Sequence, residues 1–217
     1  MADKKKLESS FKNMLIVLAA ISLVSALAIG FTYTKTKPAA EKVQLENSKK
    51  ALKEVLPAFE KLGEKYTVKV KEIEGKKGKY EVVGKDSKEG DELELTPAYK
   101  DEELVGTAVK TISHNGFGGD VQILVGFDAE GKIYNTWILL PIKETPGLGS
   151  NMKNSKFKDQ VNGKDPENFK LSVKKDGGNV DAITAATISS RAFLDAVNKA
   201  VVAYKGGKIG GKDESME

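Results

Sequence analysis

Hydrophobic and polar positions divide the chain into differently patterned stretches. Residues 13 to 34 carry no charge, and Met14 to Tyr33 is almost continuously apolar. At a rise of about 1.5 Å per residue, a helix of that length crosses a hydrocarbon core of about 30 Å. Phe31 and Tyr33 put rings at one end of the run, where amphipathic aromatics favour the interface. Residues 13–34 therefore read as a transmembrane anchor. A cleaved signal peptide, with Ala26-Leu27-Ala28 as its small-residue site, is the alternative, and the length of the uncharged run weighs against it. Lys4, Lys5, Lys6 and Lys12 precede the span while Lys35, Lys37 and Lys42 follow it, so charge alone does not orient it. The short tail of residues 1–12 makes an inside N-terminus the simplest topology, with the folded part exported.

Beyond the anchor, Val43, Leu45, Leu52, Val55, Leu56, Phe59 and Leu62 recur at helical spacings, with a break expected near Pro57. Residues 35–64 thus read as a helical connection. Alternation then takes over. Residues 67–73 and 79–83 read as half-buried strands around a turn at Gly75 and Gly78, and Leu104 to Ile112 as a longer strand. Residues 121–127 and 133–140 read as a hairpin across Asp128-Ala129-Glu130-Gly131. A short helix is expected from Met152 to Val161, capped by Ser150, and a further strand at 169–173 before a turn at 176–179. Ile188, Ala192, Phe193, Ala196, Val197, Ala200, Val201 and Tyr204 mark one face of a last helix. The glycine-rich, charged tail, 206–217, is expected to fray.

Composition narrows the chemistry. The 217 residues include no cysteine and one histidine, His114, which excludes disulfides, thiolate metal sites, a cysteine nucleophile and any multi-histidine metal or haem site. Redox chemistry would need an organic cofactor or a partner. The 35 basic and 31 acidic residues are mixed along the chain, the pattern of a solvated surface and not of a nucleic-acid groove.

Three stretches remain as candidate sites. Asp181 to Ser190 gathers three alanines, two threonines and two serines just before the last helix. Its hydroxyls could cap the first turn, and a helix start also favours a phosphate. The Gly116–Gly119 cluster lacks both dinucleotide and P-loop spacing and reads as a tight loop, although bare glycine backbone would also admit a flat ring. The loop from Lys143 to Ser150 combines Pro146, Gly147 and Gly149 with polar Glu144 and Thr145 at a strand end, a common place for a binding site.

Asp181-x-x-Thr184-x-Ala186-Thr187 resembles the covalent flavinylation motif of FMN-binding domain proteins, usually Asp-x-x-Ser/Thr-Gly-Ala-Thr, with Ala185 in place of the usual glycine. Glu144-Thr145-Pro146-Gly147-Leu148-Gly149 is similar to the loop that lies against the isoalloxazine in that family, and Gly116–Gly119 with residues 123–128 resembles its sheet. With the anchor, the resemblance spans nearly the whole chain and extends to the G subunits of Rnf complexes, ion-translocating ferredoxin:NAD⁺ oxidoreductases. It extends less closely to the C subunits of sodium-translocating NADH:quinone reductases.

The resemblance implies an α+β chain: one transmembrane helix, then an FMN-binding domain (residues 65–205) of largely antiparallel sheet with packed helices. It implies FMN joined by a phosphoester to Thr187, with Thr184, Ala186, Ile188, residues 144–149 and Gly118 around it, and with Asp181 in loop shape or recognition by the flavin transferase. No metal ligand and no catalytic acid or base is implied, since the redox chemistry belongs to the flavin. The expected function is electron transfer within a complex in the cytoplasmic membrane, whose other membrane subunits, the transferase during maturation and membrane lipid are the expected partners. The alternatives are an FMN-bearing domain of another extracytoplasmic electron-transfer chain and a cofactor-free anchored scaffold.

Overall fold

The computed structural model describes residues 10–76, 78–84 and 86–210, the last three of these by backbone alone. The chain divides into two units, residues 1–45 and 46–217. α1 spans Phe11–Val55, and its apolar run is long enough to cross a membrane and exposed throughout. The helix stops two residues before Pro57, in accord with the steric restriction that proline places on the residue preceding it. The expected helical connection is therefore shorter than residues 35–64, because residues from Leu56 onward turn into the sheet.

The second unit is built on one antiparallel sheet. β1 (Lys61–Leu62), β2 (Tyr66–Glu72), β3 (Tyr80–Val83), β4 (Asp91–Lys100), β5 (Glu103–Ser113), β6 (Val121–Asp128) and β7 (Ile133–Ile138) lie in the order β3-β2-β4-β5-β6-β7, with β1 also paired to β4. The β2–β3 and β6–β7 hairpins fall where alternation and glycines place them, with Gly75, Gly78 and Gly131 all at positive φ.

β4 is not among the expected strands. Its Leu93-Glu94-Leu95-Thr96 alternates, but Pro97 interrupts the run, and proline is disfavoured inside a sheet. Pairing on that side explains how it is accommodated. β1 reaches Ala98 and β2 begins at Leu95, so Pro97 falls in the interval between them.

The sheet buries both faces. One packs on α3 (Thr187–Gly210) through Val109, Ile123, Val125 and Phe127 against Phe193, Ala196, Val197 and Ala200; Phe127 stacks on Tyr204 at 4.4 Å. The other takes the end of α1, where Ala51, Val55 and Leu56 meet Ala98, Ala108, Leu124 and Leu139. Gly126 makes this possible, because a Cβ there would lie 1.6 Å from the Val55 carbonyl oxygen.

Three local expectations need correction. Residues 169–173 form no sheet strand. Their groups bond to the 178–180 segment and to Asn198, and only a single bridge, Val173 to Val180, is made. The predicted 152–161 helix is a 3₁₀ turn at Gly149–Lys153 followed by α2 (Ser155–Lys158). Ser150 lies inside that turn, and its Oγ accepts from the Gly147 amide at 3.0 Å instead of capping a helix. Finally, α3 continues through Gly206 and Gly207 to Gly210. Gly207 is buried beside Tyr66 and Leu95, where a side chain would crowd both, so packing holds a turn that glycine alone would loosen. The rest of the expected tail, 211–217, lies outside the described residues.

Candidate functional site

β7 ends at Ile138, and the chain then runs to Glu144, whose side chain is 6 % exposed. One carboxylate oxygen accepts from the Phe117 amide at 2.8 Å and the Gly118 amide at 3.3 Å. The other accepts from the Ser189 hydroxyl at 2.7 Å. One buried carboxylate thus ties the glycine loop, the 144–149 loop and the first turn of α3 together. A buried charge needs such partners.

The glycines follow from this junction. A Cβ on Gly149 would lie 2.2 Å from Glu144 Oε2, and one on Gly118 would lie 1.8 Å from the Lys143 carbonyl oxygen. The space left by Gly118 is filled by this chain's own backbone, so the close approach it permits is to the 143–144 segment.

The first turn of α3 is organised differently from a capped helix. Ser189 is committed to Glu144. Ser190 Oγ donates to the Ala186 carbonyl at 3.0 Å and accepts from the Ile183 amide at 2.9 Å. Neither serine therefore caps the turn, and the position just before the helix is Ala186, which has no hydroxyl to offer. The first intrahelical bond runs from the Ser190 amide to the Ala186 carbonyl, which leaves the amides of Thr187, Ile188 and Ser189 with no acceptor within the helix. Thr187 is half-buried at that start, while Thr184 and Ala185 are exposed and Ala186 is buried.

Ala185 has φ 59°, the left-handed region that glycine occupies without steric cost. The one departure from the motif falls at the position whose backbone asks for glycine. The Ala186 amide donates to the Ile183 carbonyl at 3.0 Å, closing the turn around it.

Around this start stand three exposed apolar side chains: Phe117 at 69 %, Leu148 at 41 % and Ile188 at 49 %. Each is at, or next in sequence to, a residue of the Glu144 junction. Thr145, Pro146 and Gly147 lie exposed beside Leu148. Thr145 shapes the loop through its carbonyl, which accepts from the Leu148 and Ser150 amides. A half-buried threonine, amides with no acceptor among the described residues and flanking apolar surface fit a phosphate-bearing aromatic group such as FMN.

Asp181 stands apart from the junction. Its backbone exchanges bonds with the Gln160 side chain, and its carboxylate accepts from Lys174 Nζ at 2.7 Å on the surface. His114 lies on the glycine loop's other flank, with Nδ1 2.8 Å from Asp120 and Nε2 3.3 Å from Asp91. The bond to Asp120, with Asp91 adding to it against a desolvation cost, raises the imidazole above its ordinary value. Sequence reasoning places Ser189 in the candidate stretch but misses its bond to Glu144, for which it carries no signal beyond its neighbours. It misses Arg191 altogether, although that residue is the one arginine in the chain.

Residues 116–202 match the model of the FMN-binding domain, a span that contains the whole Glu144 junction. The chain is 32 % identical over 212 residues to the G subunit of the Na(+)-translocating ferredoxin:NAD(+) oxidoreductase complex of Acetobacterium woodii, covering 94 % of this chain and 98 % of that protein. It belongs to the family of G subunits of ion-translocating oxidoreductase complexes. Within that family it is also 29 % identical to the G subunit from Methanosarcina acetivorans, over 93 % of this chain and 96 % of the relative. A solved NqrC from Shewanella oneidensis shares 18 % identity over 54 % of this chain and 59 % of that one, with a TM-score of 0.43.

Proposed function

We propose that this protein is the membrane-anchored electron-transfer subunit of an ion-translocating ferredoxin:NAD⁺ oxidoreductase complex of the Rnf type, carrying FMN in phosphoester linkage to Thr187. The observation that carries the reading is the Glu144 junction. It brings the three sequence stretches singled out for a flavin to one place, and Thr187 stands half-buried there at a helix start whose first amides have no acceptor within the helix. Family membership supports the complex, and the matched FMN-binding domain supports the cofactor.

The bound flavin would supply the electron-carrying chemistry. The chain's own residues hold and shield it. The amides of Thr187, Ile188 and Ser189 face the phosphate, and the helix dipole favours its charge. Leu148 and Ile188, with Thr145, Pro146, Gly147 and Gly149 behind them, offer the surface for the ring. Thr184 and Ala186 shape the approach, and Gly118 allows the loops to close on Glu144. No side chain need act as a general acid or base.

Attachment requires a flavin transferase that uses FAD and a divalent cation; the Thr187 oxygen replaces AMP on the flavin phosphate and its proton is released. A covalent tether prevents loss of the flavin from an extracytoplasmic domain. The anchor would lie in the cytoplasmic membrane lipid with the N-terminus inside and residues 65–205 outside, docked to the other membrane subunits.

The test is co-expression of the full chain with the transferase. Wild type should show flavin fluorescence in a denaturing gel, and Thr187→Ala should lose it while circular dichroism stays unchanged. Fluorescence retained by that variant would move the attachment elsewhere.

A further inference from the structure

Thirty-four lysines and a single arginine make up the basic residues, and the arginine is Arg191. It stands four residues after Thr187 on α3, and residues at that separation share a helix face. Side chains on a helix also lean back toward its N-terminus, which aims Arg191 toward the turn that holds Thr187. Its guanidinium grips Asp176 in a fork, Nε to Oδ2 at 2.8 Å and Nη2 to Oδ1 at 2.7 Å. Both side chains remain nearly half exposed, at 47 % and 41 %. They line an open groove of about 830 Å³ together with Lys170, Asp195 and Ile188, the residue next to Thr187.

We infer that Arg191 is the counter-cation of the phosphate carried on Thr187, exchanging its Asp176 partner for that phosphate when FMN is attached. The inference rests on the reading of Thr187 as the attachment site. A planar guanidinium matches two oxygens of a carboxylate or of a phosphate equally well, which an ammonium does not. That accounts for an arginine at this one position in a chain that otherwise uses lysine. The exchange is easy because the pair is exposed, and exposed ion pairs are held weakly in water. An attached phosphodiester presents one negative charge through two unbridged oxygens, the same charge that Asp176 presents now. Asp176 thus keeps the guanidinium extended and oriented before loading, and Arg191 acts as a positioning residue for the flavin afterwards.

The single arginine also gives a clean probe. In full-length ¹⁵N-labelled protein in detergent, Arg191 alone contributes an Nε–Hε signal. Loading by the transferase should displace that signal in the wild type. The same treatment should leave it in place in Thr187→Ala. In Asp176→Asn the unloaded signal should start shifted, having lost its carboxylate, and should still move on loading. In loaded Arg191→Lys the ³¹P resonance of the attached phosphate should shift from its wild-type position. An Arg191 signal that does not move in wild-type protein whose Thr187 is shown by mass to be modified overturns the inference and leaves the attachment reading standing. Unmodified Thr187 overturns that reading and the inference with it. The deciding signal is read in the unsubstituted chain, so the outcome does not depend on whether a variant folds.

Discussion

Two acidic residues mark the two loops that meet at α3, and their circumstances are opposite. Glu144 is buried and accepts three hydrogen bonds from segments 26 to 45 residues away in sequence. Asp181 is exposed and makes its carboxylate contact to Lys174, seven residues away. The first holds the site together. The second lies on the surface, apart from the junction. A motif letter alone does not separate these roles; long-range bonding does.

The comparison is broken most directly at Glu144. Glu144→Ala strands the Phe117 and Gly118 amides and the Ser189 hydroxyl, and should cost about 3 kcal/mol in urea denaturation of the full chain. A loss within about 0.5 kcal/mol, the scale of an ordinary surface substitution, would show that the junction does not organise the domain. On the other loop, Ala185→Gly relieves a left-handed alanine and should stabilise by up to about 1 kcal/mol in the same assay. Destabilisation would mean that the methyl makes contacts worth more than the strain. Asp181→Asn removes an exposed pair and should change stability by less than about 0.5 kcal/mol, while slowing flavin loading if the transferase reads that side chain. Unchanged loading kinetics would leave Asp181 with loop shape alone.

The smallest effect lies at the rim of the glycine loop. Asp120 and Asp91 raise the His114 imidazole above its ordinary value, so the folded state binds the proton more tightly than the unfolded chain does. The stabilisation is therefore complete below the unfolded value near 6.5 and is lost as pH rises through the higher folded value. Wild type minus His114→Gln stability, measured between pH 6 and 8, should decline with rising pH. A difference that is flat, or that grows with pH, would contradict the bonding to Asp120 and Asp91.

Much of this architecture is legible in the sequence. Alternation locates β2, β3, β5, β6 and β7, and the apolar face of α3 is legible through Ala192, Phe193, Ala196, Val197, Ala200 and Tyr204, because each depends on periodicity within one segment; Ile188, read as part of that face, is exposed instead, in the first turn beside the Glu144 junction. Failures come where distant partners decide. Pro97 hides β4, since only the gap between β1 and β2 makes a proline tolerable there. Phe169-Lys170-Leu171-Ser172-Val173 alternates like a strand, yet its backbone bonds to 178–180 and it packs beside α3 off the sheet. At the site, resemblance finds the motif residues, but not the burial of Glu144 or its grip on Ser189. A strand-end carboxylate looks the same in sequence whether it meets a ligand, solvent or its own fold. Likewise Gly118 reads as room for a ring, whereas the Lys143 carbonyl occupies that room.

The central claim is the flavin on Thr187, and peptide mapping by tandem mass spectrometry tests it most directly. In full-length protein co-expressed with the transferase, the peptide holding residues 181–190 should gain the mass of one FMN less one water, with fragment ions placing it on Thr187. An unmodified peptide, or the same mass on Thr184, would contradict the account.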